Sequence, residues 1–134
     1  MDDIRRATDL AYKAVSEYGL SASVGPLSVG TLISGGDDYG LLKDSGSPVA
    51  RAVEAEVKLM LEAALAVARD CVTSNRPLHD ALSAELRQEE KVEGAALQEW
   101  LHKTEVPASL RAFVLHGEVP ASARERLAAV GLAN

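Results

Sequence analysis

Apolar residues recur at helical spacing along most of this chain. Ile4, Ala7, Ala11, Ala14, Val15 and Tyr18, with Leu10 beside them, put one apolar stripe on a helix over about residues 3–18. Asp2 or Asp3 supplies an N-cap oxygen to the free amides of its first turn. Gly19, which takes the left-handed conformation without strain, stops it. A second stripe is longer: Val49, Val53, Val57, Met60, Leu61, Ala64, Val67, Ala68, Cys71 and Val72. Ser47 caps this segment, Pro48 takes the first helical position and Asn75-Arg76-Pro77 ends it. The spacing predicts a helix over about 48–74, a rod of roughly 40 Å at ~1.5 Å per residue. Its stripe must be covered by other helices, which makes it the spine of the fold.

The stretch from about 20 to 47 has no helical period. Gly25-Pro26 marks a turn, Leu27, Val29, Leu32 and Ile33 suit a short strand, and Ser34-Gly35-Gly36-Asp37-Asp38-Tyr39-Gly40 reads as a loop. Beyond the long helix, Leu78, Ala81, Leu82 and Leu86 predict a third helix over about 78–90. Gly94 breaks the chain, and Ala96, Leu97, Trp100 and Leu101 predict a short fourth helix. The tail then repeats itself: Glu105-Val106-Pro107-Ala108-Ser109 recurs thirteen residues later as Glu118-Val119-Pro120-Ala121-Ser122, and Arg111 as Arg124. Each copy reads as an extended Val followed by a Pro-initiated short helix, closed by Gly117 and Gly131. The expected fold is therefore an all-α helical bundle with one long central helix, an irregular or short-strand segment at about 20–47 and short C-terminal helices.

Composition agrees. The 134 residues fit one domain. They include 22 alanines but one Phe and one Trp, which favours close-packed helices over a sheet. A net charge of -6 with no basic face argues against nucleic acid. The longest uninterrupted apolar run, Ala63 to Ala68, is far too short to span a bilayer, and no signal peptide is evident. The lone Cys71 falls in the apolar stripe and reads as a small core residue, consistent with a soluble protein in a reducing compartment.

The residues alone show no complete active site. The Gly35-Gly36 loop lacks the Lys-Ser/Thr of a phosphate loop, and its aspartates lack the spacing of a calcium loop. His79, His102 and His116 are too widely spaced for a zinc pattern, and His79-Asp80-Ala81-Leu82-Ser83 is not a His-Glu-x-x-His motif. His79 reads as a surface or capping residue. The pair Glu89-Glu90 ends a charged helix and is solvated. No catalytic residue is assigned.

Several short runs, in order, carry a resemblance. These are Asp3-Ile4, Ala7-Thr8, Leu10-Ala11, Tyr18-Gly19-Leu20-Ser21 and Gly25-Pro26-Leu27, then Val53-Glu54-Ala55-Glu56-Val57, Asn75-Arg76, and Glu90-Lys91-Val92-Glu93-Gly94 with Leu97. Together they resemble the peptidase domain of the FtsH family of ATP-dependent zinc metalloproteases over residues 2 to 101. The family holds zinc with the two histidines of His-Glu-x-x-His and a distant aspartate in Asn-Asp-Ile. The resemblance puts that aspartate on Asp3, with Asp2 at the Asn position. Three protein ligands leave one position for a water that the motif Glu activates. The chain holds one of these ligands and no general base, so it should bind zinc feebly on its own. ATP would act only through an ATPase domain absent from this chain.

Departures from the family pattern are Gly40-Leu41-Leu42-Lys43 where a Gly-Arg is usual, Lys91 where a Thr is usual, and the repeated tail. The division expected is 1–101 for the FtsH-like helical region and 102–134 for a C-terminal extension. The resemblance implies a membrane-anchored parent that acts on polypeptides as a homo- or hetero-oligomer of FtsH-like subunits, with this chain the C-terminal part of its peptidase domain. The competing readings are a protease-dead relative serving as a helical scaffold, and an unrelated helical bundle.

Overall fold

The computed structural model describes residues 2–26, 28–29 and 47–129. Among them lie six helices and no strand: α1 (Asp2–Ser16), α2 (Pro48–Ser74), α3 (Arg76–Glu89), α4 (Gly94–His102), α5 (Ala108–His116) and α6 (Ala121–Ala129). The all-α expectation with one long helix holds, and α2 has the expected bounds. The glycine loop, the Gly40–Lys43 run, Gly131 and the expected strand residues other than Val29 lie outside the described residues.

The chain divides into two compact units, Met1–Ala64 with Ala123–Asn134, and Leu65–Ser122. In the first, Ala11, Val15, Val29, Val53 and Val57 form a buried cluster with Val24, Met60 and Leu61 packed against it. Local chemistry sets the element ends. Ser47 Oγ accepts the Ala50 amide at 3.1 Å and caps α2. α1 stops at Ser16, two residues before the expected Tyr18. Gly19 takes φ 62° there, and the Leu20 amide returns to the Ala14 carbonyl at 3.0 Å.

In the second unit α3 begins at Arg76, earlier than the expected Leu78. Pro77 sits in its first turn, where the missing N–H costs nothing, so the run that ends α2 as expected also opens the next helix. Asn75 holds this joint. Its Nδ2 donates to the Cys71 carbonyl and to the Glu105 carbonyl, both at 2.9 Å, and its Oδ1 accepts the Glu105 amide at 2.8 Å. Both backbone groups of Glu105, where the tail repeat starts, are thereby satisfied by one side chain. Glu90 ends α3 at φ 57°, a left-handed conformation that a side chain adopts only at some cost. The Trp100 indole donates to Glu85 Oε2 at 2.9 Å, and the Lys103 ammonium stands 4.7 Å from the ring centroid.

Both tail copies start helices, as expected. Pro107 is the extended N-cap of α5, and α6 follows Pro120 directly.

Candidate metal-ligand site

The sequence alternates polar and apolar positions through all of α1, but burial divides the helix in two. Ala11, Val15 and Ser16 are buried, whereas every residue from Asp2 to Leu10 is exposed. Ile4 is 77% exposed and Leu10 67%. The bare half carries the acidic pair. Asp2 lies 3.8 Å from Arg5, one helical turn on, in an exposed ion pair. Asp3 is exposed, and no hydrogen bond or ion pair engages it among the described residues. Both aspartates lie inside the first turn, where a carboxylate favours the positive end of the helix dipole. The structure thus places Asp3 as an exposed carboxylate in the N-terminal turn of α1.

Among the described residues, no group of three or more His, Cys, Asp or Glu side chains converges on a point that would hold a metal. His102 and His116 are the last residues of α4 and α5 and are exposed. His79, also exposed, places Nδ1 3.4 Å from Asp80 Oδ1. Asp80 is the one described carboxyl with a clear shift: its hydrogen bonds to Arg76, then to His79, hold it below the usual carboxylate range. Arg76 Nε donates to both Asp80 oxygens at 3.1 Å. That cluster is a surface ion pair in the second unit. One carboxylate does not satisfy a catalytic zinc, which takes three protein ligands, so no chemical step follows from these residues alone.

One cleft in the second unit has a volume of about 280 Å³ and is lined by Val72, Leu78 and Leu82 together with Cys71, Asn75 and His79. Cys71 is a half-buried free thiol. The lining is largely apolar, and Thr104 completes it. No described helix is long and apolar enough to cross a membrane.

The model of peptidase family M41 matches residues 1–100 of the chain. The chain belongs to peptidase family M41. Among its M41 relatives, the chloroplastic ATP-dependent zinc metalloprotease FTSH 7 of Oryza sativa is 47% identical over 121 residues, covering 85% of this chain and 14% of the relative. Its namesake in Arabidopsis thaliana is 48% identical over 121 residues, covering 84% of the chain and 14% of the relative. The ATP-dependent zinc metalloprotease FtsH 4 of Synechocystis is 30% identical over 116 residues, covering 81% of the chain and 18% of the relative. The FtsH resemblance read from the short runs is therefore established, and zinc fits the names these relatives carry. The chain spans about a seventh of the length of the plant relatives. Coverage of 85% of 134 residues exceeds the 100 matched by the M41 model, so the rice match reaches past Leu101 into the tail. The tail is thus shared in part with an FtsH protein, a likeness the short runs did not reveal. No solved structure gives a significant match.

Proposed function

We propose that this chain is the C-terminal helical part of an FtsH-like zinc peptidase domain, and that Asp3 is the third zinc ligand of a site completed by polypeptide outside these 134 residues. The exposed carboxylate of Asp3 carries the reading: its neighbour Asp2 is paired, while Asp3 meets no partner among the described residues. The bare half of α1 supports it. Ile4 and Leu10 would be seated against the part of the domain that brings the histidines and the general base, so that burial of the helix and completion of the site are one event. The exposed apolar residues of the second unit, among them Val114 and Leu115, fit a chain that works inside a larger body or beside other FtsH-like subunits. Residues 1–101 form the peptidase-domain region and 102–134 an extension of it. By itself the chain hydrolyses no peptide bond. In its parent, polypeptides are the substrates and ATP acts through a separate ATPase domain.

A chimera tests this. This chain replaces the matching segment of the rice FTSH 7 protein, and zinc content and ATP-dependent hydrolysis of an unfolded polypeptide are measured. The chimera is expected to keep both, and Asp3→Asn to lose both while Asp2→Asn keeps them. Full zinc content in the Asp3→Asn chimera overturns the ligand assignment. A folded chimera that holds zinc and cleaves nothing favours the protease-dead scaffold instead.

A further inference from the structure

The two tail helices share a preface and then part company. α5 is the more apolar, yet none of its residues is buried, and Val114 and Leu115 are 69% and 71% exposed. α6 carries Arg124, Glu125 and Arg126 in nine residues, yet Ala123 is 0% exposed and Leu127 7%. Ala123, Arg126 and Leu127 stand at i, i+3 and i+4, on one face of the helix. From that face Arg126 Nε donates to Glu62 Oε2 at 2.8 Å, and Nη2 to the Glu62 backbone carbonyl at 3.5 Å. The two side chains are only about a third exposed, so solvent and salt screen them less than a surface pair. Glu62 belongs to α2, beside the buried Ala63.

Among the described residues, α6 makes no other side-chain hydrogen bond or ion pair. Isolated helices shorter than about 12–15 residues are marginal in water. The approach to α6 is short: Gly117 turns in the left-handed region, the Glu118 amide returns to the Ala112 carbonyl at 3.3 Å to close α5, and Val119 and Pro120 lead into α6 outside any helix. Among the described residues, the order of α6 rests on one face, two buried side chains and one ion pair.

We infer that α6 is a releasable strap, folded only while Ala123 and Leu127 are seated, with the Glu62–Arg126 pair as its latch. It opens as a unit without unfolding the helices that precede it. The latch sits two residues before the first unit gives way to the second, and Ala123 is where the chain returns. Opening frees the Glu62 carboxylate and turns residues 118–129 into a flexible arm.

Hydrogen exchange on the whole chain, read by mass spectrometry, tests the strap. The amides of residues 124–129 are expected to exchange well before those of residues 53–60. Glu62→Gln should speed exchange in α6 by roughly tenfold, the scale of one lost charge-assisted hydrogen bond, and leave residues 53–60 unchanged. Leu127→Ala should do the same, and Glu125→Gln, on the exposed face, should not. Raising salt from about 0.1 to about 1 M should speed α6 exchange in the wild type and barely in Glu62→Gln. Circular dichroism confirms that each variant keeps the other helices. Exchange of α6 in step with residues 53–60 in every variant, or equal α6 rates in wild type and Glu62→Gln, overturns the proposal.

Discussion

The two halves of α1 obey one sequence rule and meet opposite fates. Ala11 and Val15 continue the stripe begun by Ile4 and Ala7, and both pairs satisfy the same helical period. Val15 is nevertheless 0% exposed while Ile4 is 77% exposed. Even the side-chain bonds repeat: Thr8 Oγ1 donates to the Ile4 carbonyl at 2.8 Å in the bare half, and Ser16 Oγ to the Tyr12 carbonyl at 2.7 Å in the buried half. An apolar period tells which face of a helix seeks cover. It does not tell whether the cover lies within the same stretch of chain, and that difference separates a core from a docking face.

The contrast can be broken most directly at Val15. Val15→Ala removes two buried carbons and leaves a void, so it should cost about 2 kcal/mol in urea unfolding. A loss below about 0.5 kcal/mol would mean that the buried half is no core at all. Next in size is a second pair of serines. Ser16 Oγ is bonded, but Ser109 Oγ in α5 is buried with no hydrogen-bond partner among the described residues. Ser109→Ala should therefore stabilise by about 1 kcal/mol by removing an unmet polar group, and a destabilised variant would show that the oxygen has a partner in solution. For the bare half, Ile4→Ala and Leu10→Ala should each change stability by less than about 0.5 kcal/mol. Losses above that, growing with protein concentration in sedimentation runs, would show a second copy covering α1.

The smallest effect sharpens the contrast from the polar side. Asp80 is exposed, as Asp3 is, but it is engaged by Arg76 and His79. A carboxyl whose folded-state pKa is depressed stabilises the fold above its unfolded-state pKa, and this is lost as pH falls through the lower folded value. The stability gap between wild type and Asp80→Asn should accordingly be small at neutral pH and close on acidification. A gap that widens in acid would contradict the depressed pKa.

The local rules served the fold well wherever a single residue decides an end. Ser47 and Pro48 start α2, and Gly117 closes α5 with φ 66°. They served less well where one residue does two things. Pro77 follows the end of α2, as expected, and also stands in the first turn of α3, because a proline without its N–H suits that turn. Glu90 closes α3 in a conformation for which glycine is the ordinary signal, so nothing in its type announces it. The Asn75 clamp on Glu105 spans thirty residues, beyond the reach of any period. Of the candidate site, chemistry alone offers Asp2 or Asp3 as a capping acid, and the structure places both within the first turn instead. The assignment of Asp3 to zinc came from the order of short runs across a hundred residues, since one carboxylate has no metal spacing to read.

Trp100 has a further use. It is the only tryptophan, it belongs to the second unit, and it is fixed between the Glu85 carboxylate and the Lys103 ammonium. Tyr12 and Tyr18 belong to the first unit. The chain is thus colour-coded by its own aromatics. Tyrosine and tryptophan emission, followed in one denaturant series, report on the two units separately, and the spacing of their midpoints measures how far the units unfold as one.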